Sequence, residues 1–254
     1  MKFLSLFTGI GGFDLGLEWC GMECIGQVEY EPYNLAILTQ HWPDVPKWMD
    51  IHDFKGKEYK TVDLVCGGFP CQPFSQAGKR KGRDDNRYLW PEMLRVIKET
   101  TPRWVIGENV PGLLSIEGGM VFERVCADLE SEGYEVWPFI IPACAVNAKH
   151  KRDRVWIVAY SNRNRHQGDE RLRKNQSENS RREESPHGAT WKCLDDSDSW
   201  ETSKIFTSRI GGNINGIPNR SHRIKAMGNA VVPQVVEVLG RTIIEFEELK
   251  QNKN

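Results

Sequence analysis

The chain has 254 residues, 39% of them hydrophobic and 27% charged, which suits one sizeable domain or one domain with a small appendage. Its net charge of −1 excludes a uniformly basic nucleic-acid binder but leaves room for a local basic patch. No apolar run approaches a membrane span, and the seven cysteines, odd in number and without a Cys-x-x-Cys pair, argue against a disulfide framework or a zinc site and for a reducing cytoplasm.

Met1 to Phe7 resembles the start of a signal peptide, but Gly9, Gly11, Gly12 and Asp14 cut the apolar run short, so a first core strand over Lys2 to Phe7 is expected. The strand breaks into Thr8-Gly9-Ile10-Gly11-Gly12, and Phe13, Leu15, Leu17 and Trp19 then recur as on a helix. Strand, glycine loop and helix together read as the opening of a Rossmann-like unit, in which glycines let backbone approach a ligand. The next strand, Met22 to Val28, ends in Glu29-Tyr30: a carboxylate placed to accept from ribose hydroxyls, beside a ring able to stack on a base. Pro32 to His41 reads as a helix closed by Pro43, and Asp50-Ile51 offers another acceptor at a strand end.

Val62 to Cys66 is a short apolar run and reads as a buried strand. The sequence Gly67-Gly68-Phe69-Pro70-Cys71-Gln72-Pro73-Phe74-Ser75 then predicts a stiff, irregular turn with the Cys71 thiol at its tip, a position suited to nucleophilic work. Gln76 to Arg83 is rich in glycine and cations and reads as a mobile loop whose Lys79, Arg80, Lys81 and Arg83 suit a phosphate backbone. Asp85 to Arg87 would cap a helix with Trp90, Met93, Leu94 and Ile97 on its core face. A strand from Trp104 delivers Glu108-Asn109-Val110-Pro111-Gly112, which suggests a positioned acid at the sheet's edge. A helix through Val121, Phe122, Val125 and Leu129 and a strand from Tyr134 to Ile141 follow. Arg152 and Arg154 precede a strand over Val155 to Ala159 and share one face if the backbone there is extended. Ser161 to Arg182 is almost devoid of apolar residues and carries Arg163 and Arg165 among many cations, the composition of a loosely ordered basic insert. Gly228-Asn229 leads into a last helix bearing Val235, Val238, Leu239, Ile243 and Phe246.

These segments, taken in order, resemble the DNA cytosine-5 methyltransferases. Phe7-Thr8-Gly9-Ile10-Gly11-Gly12-Phe13 is similar to the family's first cofactor motif, and Glu29-Tyr30, Asp50-Ile51, Pro70-Cys71-Gln72, Glu108-Asn109-Val110, Arg152-Asp153-Arg154 and Gly228-Asn229 follow in the family's order. The resemblance implies an α/β, Rossmann-like S-adenosylmethionine-dependent methyltransferase fold with a small, polar target-recognition insert. It implies a catalytic domain over 1–160, a recognition region over 161–221 and a C-terminal segment over 222–254 that completes the first domain beside its first strand. It assigns Cys71 as nucleophile toward cytosine C6, Glu108 as the acid at N3, and Arg152 and Arg154 as the grip on the base carbonyl. Phe7, Gly9, Gly11, Gly12, Glu29, Tyr30, Asp50, Ile51, Pro70, Leu89 and Asn229 would line the cofactor. Ser75, Lys79, Arg80, Lys81, Arg83, Arg163 and Arg165 would meet double-stranded DNA carrying a flipped-out base. No metal, no membrane and a monomer are implied. An RNA cytosine-5 methyltransferase, and a DNA-binding protein without turnover, are the alternative readings. His150 stands where many relatives have Gln, and Arg220 and Arg223 are the nearest candidates for an arginine-bearing motif that usually precedes the last one.

Overall fold

A computed structural model describes residues 1–71, 88–161 and 220–252. The expected cap at Asp85 to Arg87 and the expected DNA-contacting residues Ser75, Lys79, Arg80, Lys81, Arg83, Arg163 and Arg165 lie outside the described residues.

Among the described residues seven strands form one sheet: β1 (Lys2–Leu6), β2 (Glu23–Val28), β3 (Lys47–Trp48), β4 (Leu64–Gly68), β5 (Trp104–Asn109), β6 (Glu135–Pro142) and β7 (Asp153–Tyr160). Their order is β3-β2-β1-β4-β5-β7-β6. The first five run parallel, and β7 is antiparallel to both β5 and β6. Helices α1 (Gly12–Glu18), α2 (Pro32–His41), α3 (Trp90–Thr100), α4 (Met120–Ser131), α5 (Arg220–Asn229) and α6 (Pro233–Gln251) accompany it. This is the expected Rossmann-like fold. The helices cover both faces, so the central strands are buried and largely apolar: every residue of Trp104–Asn109 is buried, and Phe3, Leu4 and Leu6 are fully so.

One core lies under α3 and α4, with Trp90, Met93, Ile97, Val125 and Leu129 packed on Leu4, Val65 and Val105. The other lies under α1 and α6, where Phe13, Leu17, Val235, Val236 and Ile243 meet Phe3, Cys66 and Trp156. The C-terminal helix was expected beside the first strand; it reaches that face through α1, its main packing partner. The close fit depends on Gly16, where a Cβ would stand 2.5 Å from the Pro233 carbonyl oxygen, and on Gly240, where it would stand 2.8 Å from Cys20 Sγ. Helix α5 was not anticipated, because its polar sequence has little apolar periodicity to reveal it.

Gly67 and Gly68 form no turn, contrary to expectation. They end β4 in register with Gly107 and Glu108, and neither has a positive φ. Close approach explains both: a Cβ at Gly67 would sit 2.6 Å from the Leu6 carbonyl oxygen, and one at Gly68 would sit 3.1 Å from Glu108 Oε2. Among the described residues Cys20, Cys24, Cys66, Cys71 and Cys126 are free thiols, whereas Cys144 is disulfide-bonded, a departure from the expectation of reduced sulfur. Among the described residues no helix is long and apolar enough to cross a membrane.

Candidate active site

In an open α/β sheet a ligand sits beyond the carboxyl ends of the strands, where neighbouring crossovers diverge. Here that place is the gap between β1 and β4, whose connections lead to opposite sides. A cleft of about 630 Å³ opens there. Phe7, Thr8 and Gly9 after β1, Glu29 and Tyr30 after β2, Pro70 and Cys71 after β4 and Glu108 and Asn109 from β5 all line it. Arg154 joins them although it belongs to the start of a strand. β7 runs antiparallel, so its beginning lies beside the end of β5, with Val155 paired to Asn109.

One half of the cleft is built around Glu29, which is only 8% exposed. Its Oε2 accepts the Gly9 N–H at 2.6 Å, and its Oε1 accepts the Glu31 N–H at 2.7 Å and Asn34 Nδ2 at 3.3 Å. Burial raises its pKa against these bonds. The carboxylate therefore ties the glycine loop to β2 and keeps acceptor capacity on Oε2 for a further donor. Of the expected glycines, Gly9 lines the cleft with a positive φ of 62°. Gly11 and Gly12 do not: a Cβ on them would stand 2.4 Å from the Trp42 ring and 2.5 Å from the Val231 carbonyl oxygen. Tyr30 presents an exposed ring, Ile51 a buried apolar wall, and Asp50, Leu89 and Asn229 complete the lining. Asp50 accepts from both the backbone N–H of His52, at 2.9 Å, and its ring, at 2.7 Å.

Beneath the loop lies a carboxylate that sequence reading used only as a break in an apolar run. Asp14 is fully buried; it accepts Ser5 Oγ at 2.9 Å, Gln27 Nε2 at 2.7 Å and Cys24 Sγ at 3.3 Å. Burial raises its pKa. The network joins β1, β2 and α1 under the glycine loop.

The other half holds the sulfur and the acid. Pro70 O accepts the Leu89 N–H at 3.1 Å, and Cys71 is bridged to Tyr88, so the backbone around the thiol is pinned from two sides. Burial raises the thiol's pKa, and Glu108 adds to the rise. Glu108 Oε1 pairs with Arg154 Nε at 2.9 Å. Burial nevertheless outweighs both nearby arginines and lifts the Glu108 pKa from 4.5 to about 7. Arg152 does not lie extended beside Arg154. It has a φ of 39°, and its Nη2 donates to the carbonyls of Gly228, at 2.9 Å, and Ala230, at 2.6 Å. Its guanidinium thereby fastens the end of α5 and the residue that follows it to the site. A protonatable carboxyl, a thiol and a guanidinium converging on one cleft can add a nucleophile to a polar ring while proton and charge are handled beside it.

The profile of the C-5 cytosine-specific DNA methylases matches residues 1–210. The chain belongs to this family. Among the curated members, the type II methyltransferase M.NgoMIV of Neisseria gonorrhoeae is 37% identical over 168 residues, 64% of this chain and 53% of that protein. M.HgiCII of Herpetosiphon aurantiacus is 35% identical over 159 residues, 62% of this chain and 36% of its own length. M.HhaI of Haemophilus parahaemolyticus is 32% identical over 163 residues, 64% and 50% respectively. The chain thus spans about half or less of the family members it matches. A mutant of Spodoptera frugiperda DNMT2 superposes with a TM-score of 0.57 at 21% identity, over 63% of this chain and 50% of that one. Dnmt2 methyltransferase of S. pombe gives 0.56 at 24%, over 65% and 52%. At these identities the superpositions speak for the fold, which this member of the DNA methylase family shares.

Proposed function

We propose that the chain transfers a methyl group from S-adenosylmethionine to C5 of cytosine in double-stranded DNA. The observation that carries this reading is the convergence of Cys71, Glu108 and Arg154 at one end of a cleft whose other end is organised by Glu29. The cofactor fits the residues present: Glu29 Oε2 has acceptor capacity for a ribose hydroxyl, Tyr30 and Ile51 offer flat and apolar surface, and Gly9 leaves backbone open to the cleft. When bound, S-adenosylmethionine supplies an electrophilic methyl carried on a sulfonium. Phe7, Pro70, Leu89 and Asn229 would close around its amino-acid end. Gly11 and Gly12 would serve it indirectly, by letting Trp42 and Val231 pack close to the loop.

Cytosine C5 is a poor nucleophile until C6 has been attacked. In this reading Cys71 loses its proton to water and its sulfur bonds to C6. Glu108, protonated below about pH 7, donates to N3 and offsets the charge that develops there. Arg154 holds Glu108 and reaches toward the base carbonyl, and Arg152 braces the wall of the site from behind. After C5 is methylated, its proton passes to a base and the Cys71 sulfur leaves C6, restoring the thiol. None of this can occur in a stacked duplex, so the target base must be extruded. Residues 1–160 and 222–254 would form the catalytic body, 161–221 would read the DNA, and the protein would work as a cytoplasmic monomer, as in a restriction-modification pair or a stand-alone methylase.

The test is covalent trapping. Purified protein is mixed with labelled S-adenosylmethionine and mixed-sequence duplex containing 5-fluorocytosine, beside a Cys71→Ser variant. The expected result is a labelled protein–DNA adduct in the parent alone. Cofactor binding with no adduct on DNA would refute the DNA-enzyme reading; an adduct on RNA instead would reassign the substrate.

A further inference from the structure

Asn109 follows the proposed acid and was not among the expected site residues. Its carboxamide is buried, and three bonds fix it. Nδ2 donates to the Phe69 carbonyl at 2.8 Å, Oδ1 accepts the Val110 N–H at 2.9 Å, and Oδ1 also accepts from Cys71 Sγ at 2.7 Å. The two backbone partners leave no choice of orientation. A flipped amide would set its N–H groups against the Val110 N–H and its oxygen against the Phe69 oxygen, and both contacts are repulsive. The atom that faces the sulfur is therefore an oxygen. An oxygen acceptor stabilises S–H, whereas a thiolate at that position would meet a lone pair.

We propose that Asn109 is a positioning residue that clamps Cys71 as the neutral thiol, and that attack begins only when Sγ leaves the carboxamide oxygen. The second half of this proposal rests on the methyltransferase reading above; the first half does not. Among the described residues around the sulfur, Glu108 at the end of β5 acts on it by charge, Arg154 from β7 is engaged with Glu108, and Tyr88 is its backbone partner. An ionised Glu108 would disfavour the thiolate, as an oxygen acceptor does; among the described groups the backbone N–H of Cys71 itself favours it, and burial outweighs that bond. The arrangement keeps an otherwise reactive thiolate out of an open cleft until a substrate displaces the sulfur.

The test needs no DNA and no cofactor, so its failure is separate from failure of the trapping assay. The infrared difference spectrum of parent minus Cys71→Ser isolates the Cys71 S–H band at neutral pH. A band shifted below that of an exposed thiol, as for a hydrogen-bond donor, is expected. An unshifted band, or none because the sulfur is ionised, would overturn the proposal. In parallel, the rate of iodoacetamide modification of Cys71, mapped by mass spectrometry, is followed against pH in the parent and in Asn109→Ala. Loss of a bond of about 1 kcal/mol should lower the midpoint by roughly 0.5–1 pH unit, giving about three to ten times more thiolate near neutrality. A change in limiting rate with an unmoved midpoint would mean that Asn109 only shapes the loop, and would equally overturn the clamp. If Asn109→Ala does not fold, the infrared band of the parent decides.

Discussion

Replacing Glu108 with Gln tests the most strained feature of the site. Glu108 is 8% exposed and its native pKa stands near 7 against an ordinary 4.5, burial being the cause. Between those values the unfolded chain has released a proton that the native chain still holds, so native stability falls as pH rises. The effect begins near pH 4.5 and is complete just above pH 7. From about pH 5 to about pH 8 the parent should lose about 2.5 kcal/mol on this account. Gln at position 108 does not titrate and escapes that loss. Whatever fixed cost the change brings by altering the contact with Arg154, it does not vary with pH in this window. Urea unfolding of both proteins at about pH 5 and about pH 8 therefore gives a difference of differences that isolates the carboxyl. The variant should gain about 2.5 kcal/mol on the parent across the window, while methyl transfer falls sharply at every pH. A gap between the two proteins that stays constant with pH would refute the raised pKa, and with it the role of Glu108 as a neutral-pH acid.

Three further outcomes follow from the geometry. Gly68→Ala places a Cβ about 3.1 Å from Glu108 Oε2 and must push that carboxyl away from Arg154; transfer should drop by about tenfold or more while the dissociation constant for cofactor, measured by calorimetry, stays within about twofold. Glu29→Gln removes the charged acceptor at the end of β2 and sets an NH2 group against the backbone N–H of Gly9 or Glu31; the same calorimetry should show cofactor affinity weakened by about tenfold, and the unfolding midpoint should fall as well. Gly12→Ala drives a Cβ to within 2.5 Å of a backbone oxygen at Val231, so the cost is overpacking of about 1–3 kcal/mol in thermal unfolding, together with weaker cofactor binding as the 229–231 segment is displaced.

Much of this protein could be read along the chain. Short apolar runs that end in glycine or a carboxylate announced β1, β2, β4 and β5, because a strand buried on both faces is mostly apolar. The order of Gly9, Glu29, Cys71 and Glu108 in the sequence already placed each at a strand's end, where an α/β sheet binds its ligands. Local spacing could not tell that β7 runs against its neighbours, since a strand's direction leaves no mark on its own residues; only that reversal brings Arg154 beside Glu108. Nor could it separate glycines that open a loop from glycines that admit a neighbour. Gly67 and Gly68 looked like turn residues and are packing residues in β4, because what excludes a Cβ there is Leu6 and Glu108 on adjacent strands. Arg152 shows the same limit: its type and position suggested a partner for Arg154, and its positive φ turns it to carbonyls 76 and 78 residues away. Residue types and their order thus determined the fold class and the chemistry on offer, because both depend on properties that each residue carries with it. Which groups meet, which way an amide faces, and how far a carboxyl is lifted toward neutrality depend on atoms remote in sequence, and only the tertiary structure decides them.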